Sequence, residues 1–461
     1  MRVQPSSPEP ITPIRDTRNA NSTQMLKRAW WLLLLNFFIP GSAQVVAGNR
    51  RLGRVGIIFT LGFWVFLFLA IIFALVSKVA LFTILLTPWI AYPLGILFIV
   101  YSALIVLLSL DALRTMNLSS VGRGAMRLTL VALIVFTSVA AFVIGTIGST
   151  TLTATSFMGS IFSNSGSLEQ SKGRYNILLL GGDSGSDRFG LRPDSISVLS
   201  ISAATGNAVN IGLPRNLTHI RFLPGTPIQK VYPYGFDHYC GGECMLNAIY
   251  KATTDNYPNL YPDAKKHGST PGIEATKSAV EWVTGLKIDA YVLINMKSFA
   301  GLIDALGGID VNVKKALPIG GQKDCFPANN EHLSVCPDAM SWIEVGQQHM
   351  DGRTALWYSR SRHNTNDYDR MKRQREVENI VLKKIDLTTL LFKFGAVAGA
   401  SSKLVRSDIP SSSIPNLMDL AFKAKGKGLQ SLQLTLPLIQ ANNPDFFLIR
   451  HLIAQKLRKF N

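Results

Sequence analysis

The sequence predicts an α/β domain, a sheet with helices on both faces, set behind an α-helical transmembrane region. Three observations predict this. Long uncharged apolar runs occur only before residue 150, and the rest of the chain mixes apolar and polar residues. A net charge of +18 coexists with 47% hydrophobic residues and a mean hydropathy of +0.21. A soluble nucleic-acid binder is seldom so apolar, whereas a membrane protein with basic flanks combines both properties. Beyond Tyr175, short segments that alternate apolar and polar residues are interleaved with helical ones, the pattern of a helix-covered sheet.

In chain order, residues 1–24 carry Pro, Ser, Asn and Thr with little apolar content and read as a disordered cytoplasmic tail. Residues 25–150 form the transmembrane region. Its first apolar piece, Trp30–Val46, is interrupted by Pro40-Gly41 and flanked by Lys27 and Arg28 on one side and Arg50, Arg51 and Arg54 on the other. Basic residues at both ends place both in the cytoplasm, so the piece reads as a re-entrant or interfacial hairpin rather than a fourth span. Val55–Ser77, Val79–Leu110 and Leu128–Ser149 are uncharged. Each can cross a hydrocarbon core of ~30 Å, which takes ~20 helical residues. Pro88 and Pro93 shorten the second span to about Tyr92–Leu110, or a slightly earlier start. Arg114, Arg123 and Arg127 put the loop after it inside. Three spans from an internal N-terminus leave everything after residue 150 outside. No cleavable signal peptide is expected, because the first span serves that purpose.

Residues 151–174, rich in Ser, Thr and Gly, read as a linker. Residues 175–390 read as the exterior domain. Its expected strands are Asn176–Leu180, Ser195–Ser202, Ala208–Leu213, Tyr291–Ile294 and Ile309–Val313. A helix starts at Thr270-Pro271, cap and first turn, and runs through Trp282. Others are expected over Ser298–Leu306, stopped by Gly307-Gly308, and over Asp351–Arg362 and Asp367–Lys384. Residues 391–461 read as a C-terminal helical extension ending in the amphipathic piece Phe446–Phe460. The cysteines Cys240, Cys244, Cys325 and Cys336 all fall in the exterior part, and an even count in an oxidising compartment predicts disulfides. Of the three pairings, the local one is expected, Cys240–Cys244 with Cys325–Cys336; four reduced thiols are the alternative.

Familiar nucleophile, zincin and P-loop signatures are absent. What remains is a set of Asp and Arg residues at turning points. Asp183 follows Gly181-Gly182 at a strand end, where α/β sheets bind ligands. Arg192 and Asp194 lead into the next strand, and Pro214-Arg215 follows the one after it. The stretch Ala355–Val377 is strongly basic, with Arg360 and Arg362 closing one helical piece. On the next helix Asp367, Arg370 and Gln374 share one face, with Arg373 beside them. Guanidinium groups grip phosphate oxygens as a fork, and Mg²⁺ is commonly held by one or two carboxylates plus the substrate's phosphates. The set suits a diphosphate with its metal, against the plainer reading of a salt-bridged helix face. A nucleic-acid partner is not expected for an exterior domain.

The segments NILLLGGD (176–183), RPDSISVLSI (192–201), PRN (214–216), DAYVLINMKSFAGLIDALGGIDVNV (289–313) and GRTALWYSRSRHNTNDYDRMKRQREV (352–377) resemble the LytR-CpsA-Psr family, in the family's order. The resemblance implies an extracellular α-β-α sandwich with an apolar channel for a lipid tail. It implies a phosphotransferase that moves a glycopolymer (teichoic-acid-like, capsular or arabinogalactan-like) from a polyprenyl diphosphate carrier to peptidoglycan, with Mg²⁺ or Mn²⁺ in its place. Residue by residue, Asp183 and Asp194 match metal-binding aspartates, and Arg192, Arg215, Arg360, Arg362 and Arg370 match diphosphate arginines. Asp367, Arg370 and Gln374 match the catalytic motif, with Asp367 assigned to activate the acceptor hydroxyl. Two positions depart from the family: Asn216 stands where Asp is usual, and Cys244-Met245 stands where a basic residue is often found. The several apolar N-terminal segments resemble the extended membrane region of some actinobacterial members. Two other outcomes compete: hydrolysis of the lipid diphosphate, with water as acceptor, and a non-enzymatic membrane-bound regulator of the cell envelope. A regulator has no need of a complete Asp/Arg set.

Overall fold

The protein is described from a computed structural model, which describes all residues except 1–16, 18–19, 78–80, 82–83, 85–86, 163–165, 184–191, 239, 241–242, 321–325, 328–333, 336–338, 362–366, 385–404, 426–428 and 461. It divides into two compact units, Met1–Thr155 and Ser156–Asn461.

In the first unit, α1 (Ser22–Phe38) opens with a capping box in which the Asn21 side chain accepts from the Gln24 backbone and Gln24 reciprocates. It stops where expected. Pro40 cannot donate a hydrogen bond, and Gly41 takes φ +102°, a conformation that costs any side chain strain. A Cβ on Gly41 would also lie 2.6 Å from the Gly53 carbonyl oxygen. The chain resumes as the short α2 (Ser42–Ala47). The break is held by polar contacts to α3 (Arg50–Val76) and α4 (Pro88–Met116). Thr60 donates to the Pro40 carbonyl (3.0 Å), Asn36 to Ser109 (3.1 Å) and Gln44 to the Leu108 carbonyl (2.6 Å).

Helix α4 begins at Pro88, the earlier of the expected starts. Both prolines fall in its first two turns, where Pro88 removes no helical bond and Pro93 removes one. Among the described residues, three helices are long and apolar enough to cross a membrane: Arg50–Val76, Pro88–Met116 and Arg123–Ser156. The last belongs to α5 (Arg123–Ile161), which corrects the expected linker: the chain stays helical for twelve residues past Ser149. The hydroxyls that read as loop-forming turn back on their own helix. Thr151, Thr153 and Thr155 each donate to the carbonyl four residues earlier, at 2.8, 2.9 and 2.8 Å.

The second unit is built on a six-stranded sheet of β1 (Arg174–Asp183), β2 (Arg192–Ser202), β3 (Ala208–Leu213), β4 (Ala290–Asn295), β11 (Val405–Ser407) and β12 (Gln430–Gln433), in the order β11-β4-β1-β2-β3-β12. Strands β1, β2 and β3 form an antiparallel meander; β4 runs parallel to β1 and β12 parallel to β3. On one face Leu178, Leu180, Ile196, Val198 and Ile211 pack against α7 (Leu246–Asn256), α8 (Pro271–Thr284) and α13 (Phe446–Lys459), which follow the single-turn α6 (Pro227–Val231). The other face carries α9 (Met296–Ala305), α10 (Gly352–Arg360) and α11 (Asp367–Lys384) around a second core of Ile303, Leu306, Val311, Met350, Tyr358, Val377 and Val381. The result is a mixed α/β sheet with helices on both faces. Strand β5 (Ile309–Val313) lies outside this sheet. Gly307 and Gly308, at φ +77° and +79°, turn the chain away, and β5 pairs with β10 (Gly346–Met350) instead. The short strands β6 (Leu317–Gly320) and β9 (Ala339–Ile343) pair with each other, as do β7 (Phe326–Pro327) and β8 (Ser334–Val335).

Among the described C-terminal residues the expected final helix is present over Phe446–Lys459, but the segment is not helical throughout. Strands β11 and β12 complete both edges of the central sheet, with α12 (Ile414–Lys425) between them. VRS and QSLQ are too short and too polar to show an alternation that marks a half-buried strand. Helix α13 packs on α8 through Phe446, whose ring lies 4.6 Å from that of Trp282, and through Arg450 stacked 5.0 Å over the same indole. Asp408, just past β11, accepts from the Tyr291 backbone at 2.7 Å and pairs with Lys277 of α8. Burial pulls the Lys277 pKa down, but the Asp408 and Glu274 carboxylates outweigh it and the net direction is up. A raised lysine pKa stabilises the fold below the unfolded value, and that stability is lost only as pH rises through the folded value in strong alkali. Lys277→Met should therefore cost about 3 kcal/mol by leaving Asp408 buried and unpaired, seen as a lower midpoint in thermal unfolding at neutral pH.

Candidate active site

The parallel strands β1 and β4 end at a cavity of about 310 Å³ between the sheet and helices α9, α10 and α11. Strand alternation builds its floor: Leu178 and Leu180 are buried in the first core, so Leu179 and Gly181 face the other side. Val292 and Ile294 of β4, Phe299 and Leu302 of α9, Leu356 of α10, and Val381 and Leu382 of α11 make the walls apolar. Asp194, Ser195, Asn295, Ser359, Gln374 and Glu378 make up the polar part of the lining. One end of an amphiphile can thus be sheltered from water while the other meets charge.

At the polar side, Arg215 donates from Nη1 to Asp194 Oδ1 at 2.5 Å, and their side chains are only 21% and 14% exposed. Asp183 closes β1 opposite Arg192 in the β1–β2 ladder, just beyond a register shift at Gly181/Gly182. Arg192 pairs with Glu243, and its Nε is buried without a hydrogen-bond partner among the described residues. Arg370 is buried on α11, and Arg360 ends α10 half-buried. Of the residues expected from sequence, the structure brings Asp194, Arg215 and Gln374 around one region and sets Asp183 and Arg192 on the adjoining strand ends. Arg362 lies outside the described residues, as do the side chains of Asp183 and Asp367. Cys240 and Cys244 are placed to form a disulfide, with Cα atoms 5.3 Å apart; Cys325 and Cys336 lie outside the described residues.

Arg373 works on the backbone. Its Nε donates to the Tyr358 carbonyl at 2.9 Å, its Nη2 to Ser361, and its guanidinium sits 5.8 Å from the Tyr358 ring. It thereby holds the end of α10 that carries Arg360. Burial lowers the Arg373 pKa. Burial also pushes the Tyr358 hydroxyl above its ordinary pKa, so it stays protonated and donates to Glu376 at 2.9 Å.

Sequence reasoning missed a second group. Glu378 accepts from Ser197 (2.6 Å), Asn210 (3.1 Å), Ser195 (3.4 Å) and Arg375 (2.6 Å). Arg375 also donates to Ser195 Oγ at 2.9 Å and to the carbonyls of Ile196 and Leu213. This ties α11 to β2 and β3. Its members adjoin the site residues: Ser195 follows Asp194, Arg375 follows Gln374, and Leu213 lies two residues before Arg215. The signal was present in outline, since Glu378 is four residues beyond Gln374 on the same helix face, and Ser195 and Ser197 share a strand face. Asn216 and Asn247, beside Arg215, each keep a buried Oδ1 without a partner among the described residues.

Among the described residues, no group of three or more His, Cys, Asp or Glu could hold a metal ion. The donor set still fits Mg²⁺, because that ion takes one or two carboxylates and draws its other ligands from phosphate and water. Asp194 is a hard oxygen donor of that kind, and Asp183, at the end of the adjoining strand, is a second carboxylate in the sequence.

The LytR_cpsA_psr family profile matches residues 148–460. Biofilm regulatory protein A of Streptococcus mutans is 29% identical over 268 residues, covering 56% of each chain. The polyisoprenyl-teichoic acid–peptidoglycan teichoic acid transferase TagU of Oceanobacillus iheyensis is 26% identical over 256 residues, covering 54% of this chain and 64% of TagU. The chain thus spans a little over half the length of these curated relatives. The crystal structure of protein gbs0355 from Streptococcus agalactiae is 27% identical with a TM-score of 0.43, covering 62% of this chain and 88% of that one. With the profile matched over the whole second unit, from the end of the third apolar helix to the last helix, the chain belongs to the LytR-CpsA-Psr family.

Proposed function

We propose that the chain is a membrane-anchored phosphotransferase that moves a glycopolymer from a polyprenyl diphosphate carrier to peptidoglycan. The observation that carries this reading is the cavity, apolar along its walls and lined at its polar side by Gln374 and by Asp194, which pairs with Arg215. An isoprenoid chain fits such walls, and a diphosphate fits such an end. Relatives named as teichoic acid transferases support the reaction class.

In this reading Arg215, Arg192, Arg360, Arg362 and Arg370 hold the diphosphate oxygens with charge-assisted hydrogen bonds. Asp183 and Asp194 would hold Mg²⁺, or Mn²⁺ in its place, and the ion would supply charge neutralisation at the diphosphate. Gln374 orients the phosphoryl group, and Asp367 takes the proton from the acceptor hydroxyl. The acceptor oxygen bonds to the phosphorus that carries the glycan, the bond from that phosphorus to the bridging oxygen breaks, and polyprenyl monophosphate leaves. Phosphoryl transfer asks mainly for positioning and charge stabilisation, which is why no activated nucleophile is needed on the protein.

The test uses the full chain in membranes with a lipid-diphosphate-linked glycan. Polyprenyl monophosphate should be released only when peptidoglycan is added. Release at the same rate without it would mean hydrolysis, and no release would favour a regulator.

The basic flanks support a multi-pass topology with the N-terminus and the 111–127 loop in the cytoplasm and the catalytic domain outside. A cysteine placed at Ser119 should stay unlabelled by an impermeant thiol reagent in intact cells and react after permeabilisation. Labelling in intact cells would reverse the topology.

A further inference from the structure

Arg192 has already been met by a carboxylate of the protein's own. That carboxylate, Glu243, lies between Cys240 and Cys244, inside the five-residue loop their bridge closes. The loop is anchored on the arginine segment next door: after Cys244, the backbone of Leu246 donates to the Leu217 carbonyl at 2.9 Å and that of Asn247 to the Arg215 carbonyl at 3.0 Å. A loop tied covalently at its neck and by hydrogen bonds to 215–217 delivers one anionic group to one cation. The contact is not a buried structural pair, since the Arg192 side chain is 33% exposed and that of Glu243 54%. Nor does it satisfy Arg192, whose buried Nε keeps no partner among the described residues.

We propose that Glu243 is a specificity-determining residue that holds the anion position of Arg192 until a diphosphate displaces it, and that the Cys240–Cys244 bridge keeps it in place. The inference rests on the diphosphate reading above. Its chemistry is competitive. A ligand that takes the Arg192 fork must give more than a monodentate carboxylate and must tolerate or remove a negative charge beside it. A diphosphate, with several oxygens and a bound cation, meets both conditions. A single phosphate or a lone carboxylate meets them poorly. The loop therefore raises the threshold for weak anions more than for the diphosphate.

The test is calorimetric titration of the full chain in detergent with inorganic pyrophosphate plus Mg²⁺ and, separately, with inorganic phosphate, at fixed ionic strength. Proteins compared are the wild type, Glu243→Gln, Cys240→Ser/Cys244→Ser, and the three changes combined. Removing a half-exposed competitor should tighten pyrophosphate binding by about two- to fivefold, the scale of an exposed ion pair, and phosphate binding by more. The serine pair should tighten binding part of the way, and Glu243→Gln should add less on that background than alone. Glu243→Gln is a surface change that leaves the fold intact, so it decides the matter even if the serine pair misfolds. Equal or weaker pyrophosphate binding in Glu243→Gln overturns the proposal, and weaker binding would make Glu243 a ligand of the substrate or its metal. If pyrophosphate binds neither protein, the diphosphate reading itself has failed; if it binds both alike, only the role of Glu243 has.

Discussion

Arg215→Lys should lower glycan transfer by about 10- to 100-fold while the protein stays folded. The figure follows from a charge-assisted hydrogen bond of about 1.5–3 kcal/mol, with every 1.36 kcal/mol worth a factor of ten in rate. Lysine keeps the positive charge, so a site that needed only charge would tolerate it. It cannot make the planar two-point contact with phosphate, and it replaces a guanidinium held at 2.5 Å from Asp194 with a flexible ammonium. Asp194→Asn should act on the same centre with a different signature. It removes a candidate metal carboxylate and the charge opposite Arg215 together, so the Mg²⁺ concentration for half-maximal activity should rise as well. Initial rates across a Mg²⁺ titration check both. Full activity with an unchanged Mg²⁺ response in both variants would reduce the cluster to a solvated ion pair.

The second large effect concerns stability. Arg375→Ala should destabilise the second unit by about 3–5 kcal/mol, because it strands the Glu378 carboxylate, 16% exposed, without its cation. For a domain of this size the loss lowers the melting temperature by on the order of 10 °C. Replacing both partners, as Arg375→Leu with Glu378→Leu, should recover part of that loss, since no buried charge is left behind. Recovery is incomplete because Ser197 and Asn210 lose the oxygen to which they donate. Calorimetric unfolding of the single and double variants decides it. A double variant less stable than Arg375→Ala would show that the pair itself, rather than the avoidance of an orphaned charge, holds α11 to the sheet.

The parts of this fold that were legible in the sequence are those where one face is apolar. Leu178, Leu180, Ile196, Val198 and Ile211 alternate with polar or cavity-facing neighbours, so β1, β2 and β3 could be read directly. Pro40-Gly41 marked the break between α1 and α2 because neither residue continues a helix cheaply. Asp194, Arg215 and Gln374 could be proposed as partners because their residue types and positions at strand and helix ends have a shared chemistry. Strands β11 and β12 were hidden for the opposite reason. Three and four residues long, they join the sheet through backbone pairing with Val292–Ile294 and Val209–Gly212, and backbone pairing leaves no trace in residue type. The Ser/Thr-rich stretch after Ser149 misled in a similar way, since a hydroxyl that prefers a loop in isolation can bond back to its own helix. The Glu378 network joins residues that are some 180 positions apart, and only the packing of α11 on β2 makes them neighbours.

The central claim is that phosphorus moves with the glycan. Its most direct measurement follows a carrier made with ³²P at the glycan-proximal position of the diphosphate. After incubation of the full chain with this donor and peptidoglycan, the label should appear in the wall as an acid-labile phosphodiester, and the released polyprenyl monophosphate should be unlabelled. Label recovered in free glycan phosphate would mean that water is the acceptor. Glycan attached to the wall without label would mean that the glycosidic bond, not the phosphoanhydride, is cut, and would contradict the account.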